Sequence, residues 1–197
     1  RCGVWCVGGK NARGNVGAGR LGKGFGGGRS EGTATGNDLL GRIRGEGGTG
    51  REKGLFDSSL YRSFLWPALR SDVNGEFTDV DGKVINPGFR YYTGPSYWDD
   101  YRNKLILLGM LAPDVAADVI SSDVDKGEKR GGFMPTFFHG DHASAFVAGP
   151  YLRGNRGFDV NRAYTPVLRN ATVTGPSRPR LAEYVAQGDT SEMDAEN

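Results

Sequence analysis

Glycine is spread very unevenly along this chain, and the skew divides it before any motif is read. About half of the 33 glycines fall in the first 50 residues, where hardly any apolar periodicity accompanies them. A segment with so little apolar surface cannot offset the entropy lost on ordering it. Residues 1–36 are therefore expected to be a Gly-rich disordered segment. From about Asn37 onward the composition is that of a globular domain, with Trp, Tyr and Phe clustered between Phe56 and Phe158.

The 197 residues suffice for one ordinary domain with a core. A formal net charge of +2 provides no polyelectrolyte argument for a nucleic-acid partner. No apolar run is long enough for a membrane span. The chain has no signal peptide and begins with Arg1, so a fragment or a processed product is expected. Cys2 and Cys6, the only cysteines, lie at the extreme N-terminus and leave the redox compartment undecided.

Residues 37–197 read as mainly α. Phe56, Leu60 and Phe64 recur at a spacing of four, a helical face stopped near Pro67. SDVNGEFTDVDGKV carries N-G and D-G pairs suited to a short hairpin. WDDYRNKLILLGML predicts a helix, and Pro113 suits the first turn of the next. GDHASAFVAGPYLRG predicts another with Asp141 near its start, and FDVNRAYTPVLRNATV follows. Short connections suggest helical hairpins. Pro150 and Pro166 fall inside two of these helices and count against them.

Several motifs admit bland readings. GAGRLGKG, Gly17 to Gly24, satisfies G-x-G-x-x-G, but it has neither the Ser or Thr of a P-loop nor a strand–helix context. It reads as coincidence. His139, Asp141 and His142 suggest a zinc hydrolase, yet a zinc site needs three or four ligands and the chain has two histidines. The alternatives are a helix-entry histidine, or a polar pocket in which Asp141 and His142 bind a ligand. DVNGEFTDVDGK lacks the register of a calcium loop, and turn chemistry accounts for its Asn, Asp and Gly. SYWDDYR, Ser96 to Arg102, places three aromatic side chains, two carboxylates and an arginine within about two helical turns. At helical spacing Trp98 shares a face with Tyr101 and with Arg102. A ring that covers the C–H face of a sugar, beside a carboxylate that accepts from hydroxyls, is a common carbohydrate grip. A buried Trp with an Arg–Asp pair explains the same residues equally well.

Taken in order, GNDLLGRIRGEGGTGREKGLFDSSLYRSFLWP, SDVNGEFTDVDGKV, YYTGPSYWDDYR and GDHASAFVAGPYLRGNRGFD resemble glycoside hydrolase family 92, the exo-acting α-mannosidases. The resemblance covers roughly Asn37 to Asn197. It implies part of an (α/α)6 toroid that in the family packs against a β-sandwich. It also implies a sugar subsite at Trp98, Asp99 and Arg102, extended by Asp141 and His142. On this reading His142 is a pocket residue and not a zinc ligand.

The implied reaction is inverting, calcium-dependent hydrolysis of terminal α-linked mannose, α-1,2 in the leading expectation. The acid, the base and the calcium ligands are expected to lie beyond the equivalent of Asn197, so no catalytic or metal-binding residue is assigned in this chain. It is expected to be inactive alone and marginally stable. Mannose-containing glycans are the implied partner, and a secreted, periplasmic or cell-surface location is the implied setting. The rival reading is a non-catalytic carbohydrate-binding or scaffold remnant. The sequon Asn170-Ala171-Thr172 is a further surface-glycosylation signal.

Gly36, Gly45, Asp123, Pro150 and Asp189 depart from the family pattern, and a buried carboxylate or a mid-helix proline is costly. The Gly-rich opening does not resemble the sandwich, and the abrupt composition change suggests a stretch read in the wrong frame. Peptides covering residues 1–36 from the native source would sink that hypothesis.

Overall fold

The computed structural model describes residues 7–20, 24–136 and 140–190. They form a mainly helical structure with one small sheet. Two compact units divide between Thr93 and Gly94, so the composition step near residue 36 falls inside the first.

In the first unit, helices α1 (Gly9–Arg20) and α2 (Phe25–Leu40) occupy most of the stretch expected to be disordered. α2 buries no residue. α1 has polar tethers instead: Asn11 and Asn15 donate side-chain amides to Asp72 at 2.9 and 2.6 Å, and Asn11 also donates to Glu76 at 2.9 Å. Helix α3 (Gly50–Ser63) starts ahead of Phe56, the first residue of the expected apolar face, because Thr49 and Glu52 form a capping box. The Thr49 hydroxyl accepts from the Glu52 amide at 3.3 Å, and the Glu52 carboxylate accepts from the Thr49 amide at 2.7 Å. The Thr49 amide, and the Thr49 hydroxyl donating to the same carboxylate at 2.9 Å, hold the Glu52 carboxyl below its usual range. Of the expected Phe56–Leu60–Phe64 face, only Leu60 is buried.

The expected hairpin is present. β1 (Phe77–Thr78) pairs antiparallel with β2 (Val84–Ile85), with Phe77 opposite Ile85. Between them the Asp79 carboxylate accepts from the amides of Asp81 and Lys83 at 2.9 and 2.8 Å, and Gly82 takes φ of 79°. Phe77 stacks on Tyr91 with centroids 3.6 Å apart, and both rings are buried.

In the second unit a single predicted helix over 98–111 is two. A one-turn α4 (Tyr97–Asp100) is separated from α5 (Lys104–Leu111) by the turn at 101–103, where the Asn103 side chain caps α5. Pro113 opens α6 (Pro113–Lys129) at its first turn, as its fixed φ and missing N–H suit. Then come α7 (His142–Leu152), α8 (Val160–Thr172) and the short α9 (Leu181–Gln187). α6 is central, touching α5, α7 and α8. Its Ala116, Val119, Ile120 and Val124 meet a core that includes Leu105, Leu108, Phe146 and Ala163.

Pro150 and Pro166 do lie inside α7 and α8, and both helices run through them. The reason is packing. Both rings are buried, and Pro150 sits over Gly109 of α5, where an added Cβ would stand 3.5 Å from the ring. Arg162 clamps α8 to α6 by a two-pronged bond to Glu128 at 2.8 and 2.6 Å. Gly127 allows a closer approach: a Cβ there would stand 2.5 Å from the Phe133 carbonyl oxygen. Leu152, Tyr164, Leu168, Tyr184 and Val185 remain exposed.

Candidate functional site

The second unit brings four of the five expected site residues into one neighbourhood around the start of α7. Asp141 caps that helix: its Oδ1 accepts from the Ser144 amide at 3.4 Å, and its Oδ2 accepts from the Ser144 hydroxyl at 2.6 Å. His142, the first residue inside the helix, stacks on Tyr101 with centroids 4.1 Å apart and 12° between planes. The Trp98 ring lies 5.4 Å from the same imidazole, tilted by 51°. Arg102 places its guanidinium 5.1 Å from the Tyr101 ring centre. The result is an aromatic cluster flanked by a cation, with Trp98 41% exposed. Such a surface can cover the apolar face of a polar ring while leaving donors beside it.

Asp99 stands apart from these contacts. It is exposed, and its carboxylate accepts from the Ser96 hydroxyl at 2.5 Å at the entry to α4. Asp141 is occupied differently. Its side chain is only 3% exposed, and Asn170 donates to its Oδ1 at 2.9 Å. Both oxygens already serve internal donors, so the carboxylate fixes α7 and, through it, the position of His142. His139 lies outside the described residues.

Sequence reasoning missed two contributors. Asn170, 1% exposed, is a hub of this region. Its Oδ1 accepts from the Met134 amide at 3.0 Å, and its Nδ2 donates to Asp141 and to the Ser177 hydroxyl, the latter at 3.0 Å. The sequon asparagine therefore faces inward with its amide fully engaged, not outward as a glycan acceptor. The second is Tyr97, buried beside Trp98, whose hydroxyl donates to Asp123 of α6. Lys126 donates to the other Asp123 oxygen at 2.8 Å. Asp123 was expected as a costly intruder on an apolar face; it is wholly buried but has two partners. Burial pushes its carboxyl above the ordinary value, opposed by the Lys126 ammonium and the Tyr97 hydroxyl. Burial and the Asp123 charge push the Tyr97 hydroxyl well above its ordinary value, which keeps it a neutral donor. Asp189, the other flagged carboxylate, is exposed and accepts from the Thr190 amide at 2.7 Å.

Among the described residues no group of three or more His, Cys, Asp or Glu is placed to hold a metal ion. Calcium takes six to eight oxygens, whereas the acidic turn near Asp72 spends its carboxylates on Asn11, Asn15 and its own amides. These residues do not fit a calcium ion. Nor is any described helix long and apolar enough to cross a membrane.

Residues 11–195 match the model of the glycosyl hydrolase family 92 catalytic domain. The chain belongs to glycosyl hydrolase family 92. Its match begins within the Gly-rich stretch. A family 92 α-mannosidase from Bacteroides thetaiotaomicron is 25% identical over 90% of this chain and 25% of its own, with a TM-score of 0.80. The same enzyme with bound mannoimidazole gives 26% identity, coverage of 90% and 24%, and a TM-score of 0.80. A family 92 inverting mannosidase from the same species shares the fold, with 21% identity, coverage of 92% and 27%, and a TM-score of 0.76. This family 92 chain thus spans about a quarter of the length of those solved structures. No curated protein matches it by sequence.

Proposed function

We propose that this chain is part of an exo-acting α-mannosidase that removes terminal α-linked mannose, with α-1,2 linkages the first candidate, by inversion. On this reading it supplies one wall of the sugar subsite and forms part of an (α/α)6 toroid. Trp98 covers the apolar face of the sugar, Arg102 and Asp99 offer a donor and an acceptor, and Tyr101 with His142 backs the wall. The observation that carries the reading is the Trp98–Tyr101–His142 cluster in a chain whose solved family 92 relatives include one holding mannoimidazole.

Inversion needs an acid and a base with room for a water between them, about 6.5–9.5 Å apart. The carboxylates near the cluster do not suit these roles. Asp141 is buried and occupied, and Asp99 is exposed beside Ser96. The chain alone therefore holds sugar without cleaving it, and calcium, the family's implied ion, is held by other residues. Mannose-bearing glycans outside the cytoplasm are the proposed targets.

The test is a titration of the purified chain with methyl α-mannoside, followed by calorimetry. Weak binding that disappears in Trp98→Ala, with no turnover of an aryl α-mannoside, is the expected result. Binding undiminished in that variant would sink the subsite, and turnover by the chain alone would sink the division of labour.

A further inference from the structure

The aromatic cluster depends on a helix that cannot hold itself. α4 is four residues long, and no side chain caps its N-terminus. A single turn of helix is unstable in isolation, because nucleation fixes several residues for one hydrogen bond. Trp98 lies in that turn and Tyr101 directly follows it, so their rings inherit whatever orientation it takes.

Two members of the turn are buried, Tyr97 and Asp100; Tyr97 is 2% exposed, and its hydroxyl meets Asp123, 0% exposed, on α6. Asp123 in turn binds Lys126 one turn further along the same helix. Apolar side chains could fill this space at least as stably, since desolvating a carboxylate and an ammonium offsets most of their attraction. A hydrogen-bonded pair does what an apolar contact cannot: it admits one orientation and leaves a buried charge unsatisfied in any other. α6 is the central helix of the unit, so the anchor refers α4 to its most fixed element.

We propose that Tyr97, held by Asp123 and Lys126, is a positioning residue that fixes Trp98 and Tyr101 against His142 and so sets the shape of the sugar-binding wall. The inference rests on the reading of that cluster as a sugar subsite, but its test separates the two.

The chain has two histidines, so imidazole signals in proton–carbon NMR spectra are simple to assign with a His139→Gln variant. Stacking on Tyr101 shifts the His142 ring protons upfield. In Tyr97→Phe the expected result is loss of most of that shift, unchanged helical circular dichroism, and about tenfold weaker methyl α-mannoside binding, equivalent to about 1.4 kcal/mol. A second variant, Tyr97→Phe with Asp123→Leu and Lys126→Met, removes every charge from the anchor and guards against failure to fold. It should also lose the shift. Retention of the wild-type shift in either folded variant overturns the proposal, and so does loss of fold in both, because the role would then be structural. If wild type binds no mannoside while its His142 shift still depends on Tyr97, the sugar reading fails and the positioning role stands.

Discussion

Replacing Asn170 by alanine tests whether the hub at the end of α8 holds the second unit together. The substitution removes three bonds at once. The Met134 amide is left buried without its acceptor, a loss of about 1–3 kcal/mol, and Asp141 loses a bond to a charged oxygen, about 1.5–3 kcal/mol. The Ser177 hydroxyl loses a neutral bond, about 0.5–1.5 kcal/mol. Ser144 still serves Asp141, and losses within one network do not simply add. The expected total is about 4 kcal/mol, a large share of the ~5–15 kcal/mol that holds a typical domain folded. Urea unfolding followed by far-UV circular dichroism should show the midpoint lowered by about 2 M at a slope near 2 kcal/mol/M. Asn170→Asp makes the argument sharper. It keeps an acceptor for Met134 but sets a second carboxylate against Asp141, so it should be unstable at pH 7 and recover in acid as the pair takes up one shared proton, above the ordinary carboxylate range. A loss under about 1 kcal/mol in the alanine variant would refute the hub.

Gly127→Ala should cost about 2 kcal/mol despite alanine's better helix propensity, because its Cβ would stand 2.5 Å from the Phe133 carbonyl oxygen. A melting temperature equal to or above wild type would show that the chain at Phe133 can move aside. The stability contributed by Asp123 should depend on pH in a stated direction. Its folded carboxyl titrates above the ordinary value of 3.8. The favourable contribution is therefore complete below the unfolded value and is lost as pH rises through the folded one. Relative to Asp123→Asn, wild type should gain stability between pH 7 and pH 3, and the opposite slope in paired urea titrations would contradict the burial argument.

What could be read from sequence was local chemistry. Pro113 at a helix start, the Asp79–Gly82 turn and Asp141 at the entry to α7 each depend on neighbours within a few residues. The Thr49-Gly50-Arg51-Glu52 box is equally local, and it carries α3 back to Gly50, ahead of the apolar face that begins at Phe56. Contacts between elements left no comparable trace. Asp123 looked like a defect because its partner Tyr97 lies 26 residues away. Pro150 looked like a helix breaker because nothing in its own segment shows Gly109 beneath it. Helical spacing put Trp98 and Tyr101 on one side, and the rings do converge on His142 although the helix breaks after Asp100. Asn170 misled in the opposite sense, since a three-residue sequon carries no information about burial.

Asn170 also acts as a length gauge. It meets the Met134 backbone, the cap of α7 and the turn at Ser177 from one position in α8. One residue inserted within α8 ahead of it would swing its amide by about 100° around the helix axis, away from all three partners together. A residue inserted in the turn between Leu152 and Val160 need only lengthen a surface connection, which costs little loop entropy. Natural insertions and deletions should therefore gather in such turns and spare the helical run that ends at Asn170. Any attempt to graft this unit onto another scaffold has to keep that count of residues intact.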